Sequence, residues 1–192
     1  MDNASQNLRV QKIIAAVSIL LFGLKILAWY LTNSIAILTD ALESIVNVLA
    51  GIMGVYSLIV SAKPRDEDHL YGHGKVEFIS SGIEGTLIII AGAFIIYKSV
   101  INFNGHSNLQ KLDYGLIIIG FTGVINWIAG TVCVRTGKKN NSLVLIASGK
   151  HLRSDTLTTL GIFVGLFLML IFKYPWIDSS VAVIFASIII FT

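Results

Sequence analysis

The stretch SGKHLRSDTLTTLG, residues 148–161, places charged and titratable side chains beside one of the most apolar runs of the chain. His151 and Asp155 are four residues apart, so a helix presents both on one face, one turn apart. A nitrogen and a carboxylate oxygen at membrane depth form half of a metal site. A second pair with the same spacing, Glu43 and Asn47, lies in another apolar run. The spacing predicts that two helices bring these pairs together around one cation.

The composition is that of a membrane protein. Hydrophobic residues make up 55% of the 192-residue chain and charged residues only 13%, with a mean hydropathy of +0.80, whereas soluble domains carry about 25% charged residues. Apolar runs recur that can each span about 30 Å of hydrocarbon, and they lack the alternating polarity of β-barrel strands. We therefore expect an all-α membrane protein, a bundle of six transmembrane helices forming one domain over residues 1–192.

The apolar runs also give the extents of the helices and their orientation. The six predicted helices cover roughly residues 13–31, 35–62, 78–100, 114–134, 142–172 and 177–192. The last run has 16 residues and no polar flank, so we expect helix 6 to be cut short. Lys and Arg concentrate in the loops on one side, which predicts that both termini are cytoplasmic. We expect a multi-pass protein of a bacterial inner membrane.

Several ionisable side chains fall within or at the edges of these apolar helices. The acidic ones are Asp40, Glu43, Glu84, Asp155 and Asp178. Each would cost about 2.5–3.5 kcal/mol at the bilayer centre unless it faces a cavity, a partner or a bound ion. We expect Asp40 and Asp178 to be solvated or hydrogen-bonded at the far ends of helices 2 and 6. Lys25, alone in helix 1, either reaches the interface or pairs with an acid.

The two four-residue pairs supply three oxygens and one nitrogen, and tetrahedral closure around a divalent cation needs about four ligands. The alternative is that Asn47 and His151 only make hydrogen bonds between helices, as such residues often do in membranes. Lys150 and Arg153 flank the pair on helix 5, and we expect them to point to other faces of that helix. Cys133 is the only cysteine and is expected to be buried among apolar groups.

Three segments resemble the cation diffusion facilitator family. SIAILTDALESIVNVLAG (34–51) resembles its second helix, ASGKHLRSDTLTTLG (147–161) its fifth, and DEDHLYGHGKVE (66–77) its loop between helices 2 and 3. The resemblance implies a proton-coupled exporter of divalent metals, usually zinc, that works as a homodimer. It also implies a cytoplasmic domain after helix 6, which we do not find in this sequence.

The resemblance places the transport site on Glu43, Asn47, His151 and Asp155. The family usually has His or Asp at the first of these positions and Asp at the second, so helix 2 departs from its pattern. With a neutral histidine the set still carries a charge of −2, but its extra oxygen makes it a harder site. We expect zinc as the first substrate, with selectivity relaxed toward manganese, iron(II), cobalt or cadmium. The departure leaves open a monovalent cation/proton exchanger, or a structural membrane protein that has lost metal transport.

A second metal site is predicted in the loop between helices 2 and 3. Asp66, His69 and His73 match the residues that form such a site in the family. The alternative is an ordinary solvated loop that turns at Gly72 and Gly74. Glu84 resembles a residue of the family's third helix, without a role that the sequence reveals.

The ligand chemistry predicts how transport is driven. Histidine and carboxylate ligands lose protons when a cation binds, so metal binding depends on pH. Histidine titrates closest to neutral pH, which makes His151 the expected proton carrier. No His-Glu-x-x-His motif or comparable catalytic group is present, so we expect neither an enzyme nor a resident cofactor. The expected partners are a divalent metal ion, protons, membrane lipid and a second copy of the chain, and no nucleic acid.

Overall fold

The computed structural model describes residues 3–61, 86, 89–101, 110–174 and 176–191. Within these ranges the chain folds into helices and contains no strand. The helices are α1 (Asn3–Thr32), α2 (Ile35–Ser61), α3 (Ile89–Ile101), α4 (Leu112–Lys139), α5 (Leu143–Phe172) and α6 (Trp176–Phe191). The prediction of an all-α membrane protein is confirmed, since four helices (α1, α2, α4 and α5) are long and apolar enough to cross a bilayer.

Two predicted helix ends were wrong, in each case because a polar segment continues the helix. α1 begins at Asn3 rather than near residue 13, and its 30 residues span about 45 Å. α4 ends at Lys139 rather than near residue 134. Hydropathy marks where a helix enters the membrane but does not mark where its backbone stops being helical.

Short turns hold the helices in antiparallel pairs. Asn33 joins α1 to α2 with a φ of 55°, and Asn141 joins α4 to α5 with a φ of 53°. This left-handed conformation is one that asparagine adopts more readily than most residues. Ser142 then caps α5 by accepting a hydrogen bond from the Leu145 amide. The two pairs formed by these turns, α1 with α2 and α4 with α5, are the most extensive helix contacts in the described bundle.

The core lies where these pairs meet. α1 also packs on α4, and α2 packs on α5 and α6. The central cluster includes the fully buried side chains of Ala28, Ile37, Ile119, Ile162 and Leu166. Many other large apolar side chains are exposed, as expected for a surface that faces lipid tails.

Asp178 of α6 is fully buried and caps the start of α2. Its carboxylate accepts hydrogen bonds from the Ser34 hydroxyl, from the Ile35 amide at 2.8 Å and from the Ala36 amide at 3.3 Å. The first amides of a helix have no partner within the helix, and a carboxylate there also complements the helix dipole. Asp178 is therefore hydrogen-bonded, as one of our two alternatives had it, and this contact ties α6 to α2.

Replacing Asp178 with alanine should lower the stability of the bundle. The Asp178→Ala change leaves amide and hydroxyl donors without their acceptor, at a cost of about 1–3 kcal/mol. For a chain of this size we expect a fall of several degrees in the unfolding midpoint, measured in detergent. Ser180→Ala is the matched control, because the hydroxyl of the half-buried Ser180 bonds, among the described residues, to the Trp176 carbonyl of its own helix. Equal midpoints for the two variants would contradict the capping role.

Candidate functional site

Polar side chains of α2 and α5 meet inside the bundle. The Thr159 hydroxyl donates to Asp40 Oδ1 at 2.8 Å. Seven residues further along α2, about 10 Å of helix rise, Asn47 Nδ2 donates to Asp155 Oδ2. From the first contact to the second, the residue number rises on α2, from 40 to 47, and falls on α5, from 159 to 155. The two helices therefore run antiparallel.

The contact between Asn47 and Asp155 brings together one residue from each predicted pair. Asn47 is 5% exposed and Asp155 is 3% exposed. The Asn47 Oδ1 atom is buried and makes no hydrogen bond with the described residues. An amide oxygen and a carboxylate are ligands that suit hard divalent cations, and both are present at this point.

Glu43 lies between this contact and a small cavity. Its carboxylate reaches the Thr158 hydroxyl and lies within the electrostatic influence of Asp155 and Asp40. Its Oε2 atom is enclosed and makes no hydrogen bond within the described part of the chain. The same side chain lines a cavity that has room for about one water molecule. The cavity is enclosed by α2, α3 and α6, through Thr39, Leu42, Glu43, Val46, Ala91, Gly92, Ile95 and Ile189.

His151 lies one turn from Asp155 on α5 and is exposed. The two side chains are close enough for their charges to interact. Among the residues that the structure describes, no three His, Cys, Asp or Glu side chains converge closely enough to hold a metal ion. In this conformation Asn47 and Asp155 are therefore in contact, Glu43 is their electrostatic neighbour, and His151 lies at the exposed end of the group.

Sequence reasoning did not find the buried ion pair behind this group. Lys25 Nζ lies 2.8 Å from Asp40 Oδ1, and both residues are 1% exposed. Asp40 is thus hydrogen-bonded rather than solvated, and Lys25 pairs with an acid, as one of our alternatives had it. The sequence did carry a signal for the pair. Lys25 and Asp40 are nearly equidistant from the turn at Asn33, which places them opposite each other in an antiparallel helix pair.

Some of the remaining predicted residues are described by the structure and others are not. The Arg153 guanidinium stacks over the Trp127 ring of α4 at 4.4 Å and therefore points to another face of α5, as predicted. Lys150 is exposed. Cys133 is fully buried, also as predicted. The loop residues Asp66, His69 and His73, together with Glu84, lie outside the described residues.

Comparison with known proteins gives the family. Residues 12–192 match the family model described as the cation efflux transmembrane domain. An uncharacterized transporter of Synechocystis is 34% identical over 83% of this chain and 52% of its own length. The magnetosome protein MamB of Magnetospirillum gryphiswaldense is 29% identical, covering 80% of this chain and 51% of its own. The manganese efflux system protein MneP of Bacillus subtilis is 28% identical, and the match covers 85% of this chain and 54% of MneP.

The chain spans about half the length of the curated relatives it matches. The family model, in contrast, covers all but the first eleven residues. It includes both helices of the site and every described contact between them. The chain therefore belongs to the cation efflux family, the cation diffusion facilitators that its helix 2, helix 5 and loop motifs resemble.

Proposed function

We propose that this protein exports divalent metal cations from the cytoplasm in exchange for protons, with Glu43, Asn47, His151 and Asp155 as the transport site. The observation that carries the proposal is the buried contact between Asn47 and Asp155, which joins α2 to α5. Beside it, Asn47 Oδ1 and Glu43 Oε2 make no hydrogen bond within the described bundle. Buried polar atoms without partners are costly away from water, and a bound cation would satisfy both.

Asn47 plays two roles in this proposal. Without a metal its amide nitrogen donates to Asp155 and stabilises the carboxylate. Rotation of the amide group would turn Oδ1 toward a cation, because the two ends of the group have the same shape and opposite hydrogen-bonding character. His151 would then complete the set through a shift of α5 against α2, the kind of movement that alternating access provides.

The ligand set favours a broad range of divalent metals that includes manganese. Three oxygens and one nitrogen make a harder site than one with two histidines. One relative, MneP, is named as a manganese efflux system protein, which supports manganese as a substrate. Zinc, iron(II), cobalt and cadmium complete the proposed range.

The proton coupling, direction and assembly are also part of the proposal. Ligands that lose protons on binding metal give exchange directly. The family resemblance supports export from the cytoplasm, the side on which the Lys/Arg asymmetry of the loops would place both termini. The bacterial relatives support a bacterial inner membrane as the location. The family resemblance supports a homodimer.

Loss of either helix 5 ligand should abolish exchange. We expect His151→Ala and Asp155→Asn each to reduce metal-driven proton flux in proteoliposomes by more than about tenfold, since even residues that only orient metal ligands cost about 10–100-fold in affinity or activity. Ser154→Ala is the control, because Ser154 is an exposed neighbour on the same helix. Equal helical content and monodispersity would show that the variants are folded. Normal flux in either ligand variant would reject this site.

Replacing the carboxylate at position 43 with an imidazole should shift the preference between zinc and manganese. Glu43→His supplies a second imidazole, so we expect the ratio of zinc to manganese transport to rise by about tenfold. The Glu43→Asp variant keeps a carboxylate and is expected to keep the parent's preference. Competition between the two metals for flux measures the ratio. A parent chain that already strongly prefers zinc over manganese would contradict the argument from ligand hardness.

A further inference from the structure

A buried ion pair joins three helices directly beside the candidate site. Lys25 of α1 contacts Asp40 of α2 at 2.8 Å, and the Thr159 hydroxyl of α5 donates to the same carboxylate oxygen. Lys25 Nζ also lies 3.5 Å from that hydroxyl. A buried ion pair is in general no more stabilising than apolar side chains of similar volume. Its presence therefore calls for a reason other than stability.

The pair is close enough to the site to act on it. Thr159 is one helical turn from Asp155, about 6 Å of rise, and Asp40 is three residues from Glu43. The ammonium of Lys25 acts electrostatically on Asp155 and Glu43 as well as on Asp40. The second oxygen of Asp40 makes no hydrogen bond among the described residues. These groups thus form one electrostatic unit, which we call the charge cluster: Lys25, Asp40, Glu43 and Asp155.

With a cation bound, the ligand carboxylates have lost their protons, so the charge cluster holds three carboxylates and one ammonium and has a net charge of −2. One divalent cation neutralises that charge, whereas a monovalent cation leaves it unbalanced. Unbalanced charge is strongly unfavourable in a low-dielectric, membrane-embedded site. Lys25 cancels the charge of Asp40, and without it the site would carry one more negative charge and attract a divalent ion more strongly.

We propose that Lys25 sets how tightly the site binds a divalent cation: its ammonium, held by Asp40 and Thr159, offsets the charge of Asp40 and so limits the negative charge that the cation meets. Lys25 does not touch the metal and acts through its field at Glu43 and Asp155. The inference rests on the proposed function, because it assumes that the metal binds at Asn47 and Asp155.

A cycle of charge-changing variants tests the proposal, with Mn²⁺ binding to the purified protein in detergent measured by calorimetry. Lys25→Met leaves Asp40 uncompensated, so we expect Mn²⁺ to bind about tenfold or more tightly, and Asp40→Asn leaves the ammonium uncompensated, so we expect binding about tenfold or more weakly. The double variant Lys25→Met/Asp40→Asn restores the net charge and should return to within about threefold of the parent affinity. Lys25→Arg keeps the charge and should also stay within about threefold.

The sign of each shift separates this role from a structural one. A pair that only holds the helices together would lose affinity in both single variants, and that result, or the absence of any shift, would overturn the proposal. If a single variant fails to fold, a double variant or Lys25→Arg that departs tenfold from the parent affinity overturns it as well.

The Asp155→Asn variant separates a failure of the proposed metal site from a failure of the role proposed for Lys25. If Asp155→Asn loses Mn²⁺ binding while the Lys25 and Asp40 variants keep the parent affinity, the proposed site stands and the role of Lys25 fails. If it binds Mn²⁺ like the parent, the proposed site and the inference fail together. Opposite shifts in the single variants, recovery in the double variant and loss in Asp155→Asn are the expected result.

Discussion

An ionised or polar group inside a bilayer needs a partner, and that constraint organises the described helices. Asp178 receives hydrogen bonds from a hydroxyl and two amides at the start of α2. Asp40 has an ammonium and a hydroxyl. Asp155 has one amide, and Glu43 has one hydroxyl, that of Thr158. Among the described residues, the number of donors to each acid along α2 thus falls from three at its first turn to two at Asp40 and one at Glu43. The acids with the fewest donors lie at the place proposed for the cation.

The same gradient divides α2 into a fixed part and an adaptable part. At its first turn α2 is held by Asp178 of α6, and one turn later Asp40 binds both α1 and α5. Beyond this point the described polar contacts with α5 are those of Glu43 with the Thr158 hydroxyl and of the Asn47 amide with Asp155. An amide can exchange its donor for its acceptor by rotation alone, so this end of the helix can change partners without disturbing the anchored end.

The sequence predicted the helices and the facing pairs for clear physical reasons. Apolar runs locate the membrane-embedded part of each helix, and a four-residue spacing puts two side chains on one face. The polar extension of α1 to Asn3 escaped this reasoning, because hydropathy does not report backbone conformation. The exposure of His151 could not be predicted either, since it depends on how α5 sits against α2 and not on local pattern. The Lys25–Asp40 pair was within reach, because the turn at Asn33 sets the two residues opposite each other.

In the proposed transport site, the asparagine at position 47 changes the balance between the metal-free and the metal-bound state. Two carboxylates at positions 47 and 155 would repel each other without a metal, whereas the amide of Asn47 donates to Asp155. The amide therefore stabilises the metal-free site, through which the proposed exchange cycle would pass on every turnover. An asparagine in place of an aspartate at position 47 also removes one negative charge that would otherwise attract the cation. A chain with Asn47 is thus suited to bind its cargo less tightly and to release it more readily than one with two facing carboxylates, and the charge that remains must be set by the groups behind the site.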